Sequence, residues 1–294
     1  MTPLVGFTYT KIVIIQSLER EEVETGKILF EFLASLGTDN ESYDVPIEII
    51  SCGHAGQFLE ILHQLTQDAT AGTIPLLHVE CHGDPLDGLE FENSSTLSWE
   101  SVSEALRPLN IASKFNLLAV FSACFGAHFL GQMEAIQPSP CWCLVAPTER
   151  VDVAEVMGGF RAFYSALFND NDMGSAVRAI SQCRLSHGRW LSEPAELWFE
   201  NMITGYVKEH CNKEASQKRA KEMFRTLKKN GNHLSIGAIL RQLRKHNRKV
   251  LPNKYFDIYF MTEQIPENSK RFENTRKRVE MRLTELRNSG QYFI

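Results

Sequence analysis

Apolar runs and helical spacings alternate through the first two thirds of the chain. The segments "KIVIIQSL", "IEIISCG", "IPLLHVECHG", "NLLAVFSAC" and "CWCLVAP" are short, continuously apolar and without strict alternation, as expected of strands buried on both faces. Between them, "ETGKILFEFLASL", "GQFLEILHQLTQ", "SWESVSEALRPL" and "GAHFLGQMEAI" repeat apolar residues at helical intervals. Strands separated by helices of this length need crossover connections, which predicts an α/β fold of three layers, a mostly parallel sheet between two helical faces. After Pro147, "DVAEVMGGFRAFYSALF" and "GSAVRAISQCRL" add two helices. Beyond Pro194 the spacing is almost wholly helical: "AELWFENMITGYVKEH", a basic segment to Lys229, a turn at "NGNH", "IGAILRQLRKHNRK" and a closing helix from about Asn268. The pattern predicts an α/β domain over residues 1–192 and an α-helical, basic C-terminal domain over 193–294.

With 294 residues, 43% hydrophobic and 10% aromatic, the chain can bury a substantial core, and a folded protein is expected. Charge sharpens the division. Residues 1–207 hold 10 Lys and Arg against 27 Asp and Glu, and residues 208–294 hold 21 against 9, so an acidic part of net −17 precedes a basic part of net +12. The start lacks a basic leader and a cleavage site, and the seven cysteines are scattered through apolar segments. A cytoplasmic protein without a disulfide framework is expected. Residues 115–133 carry almost no charge, but Ser122, Cys124, Gly126 and Gly131 interrupt them. Strand, turn and helix account for that stretch better than a membrane span.

Two strand ends carry the candidate chemistry. "LLHVECHGD" stops at His82-Gly83-Asp84, and "NLLAVFSAC" stops at Cys124. In an open parallel sheet the carboxyl ends of the strands form the edge where ligands bind, and strands consecutive in sequence tend to be neighbours. A thiol becomes a good nucleophile at neutral pH when a neighbouring imidazole takes its proton. His82 beside Cys124 supplies that pair. Gly83, without a side chain, lets its backbone N–H face a developing oxyanion together with the N–H of Cys124.

These residues resemble a known family. "ECHGD" followed by "FSACFG", each after an apolar strand, is similar to the caspase-like cysteine peptidases, and most similar to the bacterial branch called CHAT-like. The similarity spans roughly residues 70–185 and includes "VAPTERVDVAEVMGGFRAFYSAL". It implies a caspase-like three-layer sandwich and a His82–Cys124 dyad that hydrolyses peptide bonds, with Gly83 and Cys124 framing the oxyanion. No cofactor is implied, the substrate is a protein or peptide, and the bacterial relatives serve regulated defence or cell-death pathways. Ser122 and Phe125 stand where caspases proper have glutamine and arginine, so a preference for aspartate does not carry over.

The same residues admit other chemistries. His78, Glu80 and His82 alternate along one strand face, a spacing able to hold zinc, but a fourth ligand is lacking and a buried, mutually partnered His-Glu pair accounts for it. "HVE" with Cys141-Trp142-Cys143 departs from the zinc-deaminase pattern by one missing residue. No metal is expected. Asp84 and Asp152 are candidates for selecting a basic substrate side chain, against the plainer reading of Asp152 as a helix N-cap. The stretch from Lys208 to Lys249 holds 13 Lys and Arg against 3 acidic residues. With few aromatics among them, nucleic acid is a poor fit, and a regulatory protein partner, or docking on the acidic part, is the expectation. The alternative from a different class is a non-catalytic caspase-like scaffold.

Overall fold

The computed structural model describes residues 7–39, 45–231 and 233–293. The chain divides into two units, Met1–Met133 with Ser139–Pro194, and Glu134–Pro138 with Ala195–Ile294.

The first unit is built on one mixed sheet. Its strands are β1 (Lys11–Ser17), β2 (Ile47–Ser51), β3 (Pro75–Asp84), β4 (Gly88–Glu90), β5 (Thr96–Leu97), β6 (Leu118–Ser122), β7 (Cys143–Pro147) and β8 (Trp190–Pro194). The main path runs β2-β1-β3-β6-β7-β8, with β4 and β5 as a small antiparallel extension from the end of β3. Every pairing from β2 to β7 is parallel, and β8 closes the edge antiparallel to β7. Ile12 to Ile15, Leu76, Leu77 and Leu118 to Phe121 are fully buried. Burial of both faces is why these strands read as unbroken apolar runs.

Five helices cover the sheet: α1 (Thr25–Asp39), α2 (Ala55–Thr70), α3 (Trp99–Ala112), α4 (Val153–Asp170) and α5 (Met173–Gln182). α1, α4 and α5 pack together, as do α2 and α3. Strand alternation assigns residues to these two layers. His78 meets Phe160 and Tyr164 of α4, whereas Phe121 meets Trp99 of α3. The strand order reverses direction at β1 and β3: from β1 the chain steps outward to β2, returns past β1 to β3, and proceeds to β6 and β7. The loops after β1 and β3 therefore part toward opposite faces at the strands' carboxyl ends, the place where open α/β sheets bind ligands.

Local differences from the expected elements have local causes. The helix expected over "GAHFLGQMEAI" is a 3-10 turn, Gly126–Gln132. A Cβ on Gly126 would come within 3.0 Å of both Ala146 and Phe121, so the turn is pressed onto the sheet, and Met133 is already extended. The sequence pattern does not show β8 or the β4–β5 hairpin, because "WLSEP" and "GLE" are too short to have a period. The uncharged stretch 115–133 is divided between β6 and the 3-10 turn, and no helix among the described residues is long and apolar enough to cross a membrane.

The second unit is helical: α6 (Ala195–His210), α7 (Lys213–Lys229), α8 (Ile236–Lys249), α9 (Tyr255–Tyr259), α10 (Glu267–Arg271) and α11 (Glu273–Asn288). Phe199 of α6 packs on Phe256, Tyr259 and Phe260, and Phe260 stacks on Phe272 at 4.5 Å. Ala220, Ile239 and Leu243 join α7 to α8, and Lys218, Lys221, Arg225, Arg241 and Lys245 stand exposed on the two helices. The closing helix starts at Glu273 and not near Asn268. Asn268 is buried in α10, where its side-chain amide donates to Phe260 O.

Candidate active site

The geometry of the site begins with the register of β3 on β6. Leu76 pairs with Leu118, and the ladder holds as far as Glu80 opposite Ser122. His82 and Cys124 each lie two residues farther on. Both groups therefore stand at the same sheet edge, on neighbouring central strands, next to the point where the strand order reverses. This follows from burial: a one-residue slip would turn every apolar side chain of either strand to the wrong layer.

Gly83 shows how closely the two ends approach. A Cβ there would collide with the carbonyl oxygen of Cys124 and crowd the Ala123 methyl at 3.2 Å. The glycine is required by the contact between two backbones. Beyond β6 the chain turns sharply, with Phe125 in the left-handed region at φ 59°, an uncommon conformation for a bulky residue. Phe125 donates its N–H to Glu149 O and Gly126 donates to Ala123 O, whereas the N–H of Cys124 makes no hydrogen bond among the described residues. A backbone donor left open at a strand end is free to bind an anionic or carbonyl oxygen.

Cys124 is half-buried, and its Sγ lies 3.9 Å from Val151 O, in the loop before α4. Cys52, Cys81, Cys141, Cys143 and Cys211 are buried, and Cys183 is intermediate. Burial pushes the Cys52 and Cys211 thiols up to about 11 and the Cys81, Cys141 and Cys183 thiols upward as well. Charge on a sulfur is thus disfavoured at these five sites.

His82 is half-exposed, and its Nε2 lies 2.8 Å from Oε1 of Glu22. Glu22 comes from the loop after β1, and its Oε2 accepts the N–H of Glu19 at 2.9 Å. The imidazole and the thiol are therefore each held by a third group and are not hydrogen-bonded to each other. Glu22 could not be singled out from the sequence. It sits in the acidic run "LEREEVE", 60 residues before His82, with nothing local to distinguish it from its neighbours.

The strand face below His82 holds a buried polar chain. Thr25 Oγ1 donates to Glu80 Oε2 at 2.7 Å, Glu80 Oε1 lies 2.8 Å from His78 Nε2, and His78 Nδ1 lies 3.0 Å from the Tyr164 hydroxyl. His78 and Glu80 are thus each other's partners, and burial pushes the Tyr164 hydroxyl well up. No group of three or more His, Cys, Asp or Glu able to hold a metal ion is found among the described residues.

The two acids considered for substrate selection are both engaged. Asp84 Oδ1 accepts the N–H groups of Leu86 and Asp87 at 2.7 and 3.0 Å. Those bonds, first from Asp87 and then from Leu86, hold its carboxyl below the usual range, with smaller help from Arg150 and His128. Asp152 is the N-cap of α4 in a capping box, its own N–H donating to Glu155 Oε2. Large apolar side chains are exposed beside these positions at Leu86 and Val153.

No protein-family model matches the chain, and no curated protein matches it.

Proposed function

We propose that the protein is a caspase-like cysteine endopeptidase in which Cys124 and His82 form the catalytic dyad. The single observation that carries this is the ending of two register-locked neighbouring strands in an imidazole and a half-buried thiol, with Gly83 bringing the two backbones into contact. The parallel sheet with helices on both faces is the setting in which a strand-end site opens into a crevice. The caspase-like family and its CHAT-like branch are what the motifs resemble, and a role in regulated bacterial defence is what that resemblance implies.

In this reading His82 takes the thiol proton of Cys124. The thiolate adds to the scissile carbonyl carbon, forming a C–S bond, and the carbonyl electron pair moves to oxygen. The N–H groups of Cys124 and Gly83 receive that oxyanion. When it collapses, the C–N bond breaks and the imidazolium returns its proton to the leaving amine. Water, deprotonated by His82, then adds to the thioester, and the C–S bond breaks to release the acid and restore the thiol. Asp84 accepts backbone N–H groups through Oδ1 and Asp152 caps α4, so each carboxylate has a local structural role beside any part in binding a basic side chain. Leu86 and Val153 favour an apolar side chain near the cut.

Treatment with a peptidyl acyloxymethyl ketone, followed by mass mapping, tests the proposal. Modification of Cys124 that is lost in His82→Ala is expected. Modification of Cys183 with Cys124 untouched would overturn it. The same result decides against the rival reading of a non-catalytic scaffold, which has in its favour that thiol and imidazole are hydrogen-bonded elsewhere.

A further inference from the structure

We propose that Glu22 is the positioning residue of the site, holding the His82 ring in the tautomer that presents an unprotonated Nδ1 to the thiol. This rests on the reading of His82 as the base.

A carboxylate oxygen only accepts, so the 2.8 Å contact from Glu22 Oε1 to His82 Nε2 places the ring proton on Nε2. In the neutral ring Nδ1 is then the nitrogen left with a lone pair, and it has no hydrogen-bond partner among the described residues. The carboxylate is itself oriented: its second oxygen accepts the Glu19 N–H at 2.9 Å, and the Glu22 N–H donates back to Glu19 O at 3.0 Å. This reciprocal pair closes a local turn in the loop after β1 that orients the Glu22 carboxylate. The topology supplies the reason for a residue so distant in sequence. β1 lies directly beside β3, with Ser17 opposite Cys81 at the end of the ladder. The chain leaving β1 toward α1 passes the imidazole that leaves β3 on the same face. A nucleophile, a base and a group orienting the base recur together in hydrolases because the neutral imidazole must carry its proton on the nitrogen away from the nucleophile.

The side chains of both residues are partly exposed, at 49% for His82 and 35% for Glu22, so solvent screens the pair. Its loss should therefore cost much less than the roughly 10,000-fold drop seen when a buried triad carboxylate is neutralised. A fall of about tenfold to a hundredfold in the inactivation rate constant is expected for Glu22→Ala, of the size typical for removing an orienting partner. The affinity for the peptidyl acyloxymethyl ketone should be unchanged. The independent readout is the tautomer of His82, followed by 15N chemical shifts of the histidine-labelled full chain at a pH where the ring is neutral. The wild-type protein should show a protonated Nε2. Glu22→Ala should show a mixture of tautomers, and Glu22→Gln, which keeps an acceptor oxygen without the charge, should retain the Nε2–H form with an intermediate rate. A protonated Nδ1 in the wild type, or Glu22→Ala with both tautomer and rate unchanged, would overturn the proposal. If the ketone labels nothing in the wild type while Glu22→Ala still shifts the tautomer, the peptidase reading falls and the positioning role stands.

Discussion

Gly83 is the residue on which the site's geometry turns. It has no left-handed φ to justify a glycine; the reason is the Cys124 carbonyl against its Cα. Gly83→Ala should push the ends of β3 and β6 apart, an overpacking expected to cost about 1–3 kcal/mol, while the buried ladder from Leu76 to Glu80 stays intact. The labelling rate at Cys124 should fall at least about tenfold, since a displacement of about an ångström at a reacting pair can cost a hundredfold, with an unchanged circular dichroism spectrum. Wild-type labelling rates in Gly83→Ala would show that the close approach does not matter to the thiol. Selectivity among the seven cysteines is likewise a matter of individual environment: burial disfavours charge on the five thiols named above, and Cys124 is exposed enough to be reached.

β3 is the element that joins stability to the site. Its outward end carries His82, and its buried stretch carries the chain Thr25–Glu80–His78–Tyr164, which ties the strand to α1 and α4. Thr25→Val keeps the side-chain shape but leaves Glu80 Oε2 without its donor. A buried acceptor left unpaired costs about 1–3 kcal/mol, and the urea midpoint should move down by that equivalent at constant slope. An unchanged midpoint would mean that the Thr25 hydroxyl does not satisfy Glu80. The neighbouring 3-10 turn after β6 shows the opposite economy: Phe125 is held in an unfavourable conformation by Glu149 O, and backbone strain of this kind is found where it positions a functional group.

For the molecule as a whole, buried acidic protons set the response to alkali. Burial pushes the thiols of Cys52 and Cys211 from 9.0 up to about 11, Cys81 and Cys141 also rise, and the hydroxyls of Tyr9, Tyr164 and Tyr292 rise above 10.0. Above the unfolded values of these groups, the unfolded chain gives up protons that the folded chain keeps. Stability is then fully present below about pH 9 and falls as pH rises through the raised values. Denaturation midpoints should therefore be lower at pH 10 than at pH 8, and a flat profile across that range would refute the assignment. Substituting Cys52 by alanine should reduce the slope, because one of the groups that ionises only on unfolding is gone.

The architecture was legible in the sequence where burial acts locally. A strand covered on both faces must be apolar at every position, and an amphipathic helix must repeat near 3.6, so β1, β2, β3, β6, β7 and the helices α1, α2 and α3 announced themselves. His82 and Cys124 were legible for the same reason, as abrupt polar ends to such runs. Short edge elements carry no period, and β8 was missed. Over Gly126–Gln132 the helical spacing is overridden by two glycines and by packing on the sheet, and the chain forms a 3-10 turn. Glu22 lay beyond reach, because its meaning comes from β1 and β3 being neighbours with the strand order reversing there. Hydrophobic periodicity is a property of each segment and can be read from it. Which loop meets which strand end depends on the packing of the whole sheet, and that is where the imidazole found its carboxylate.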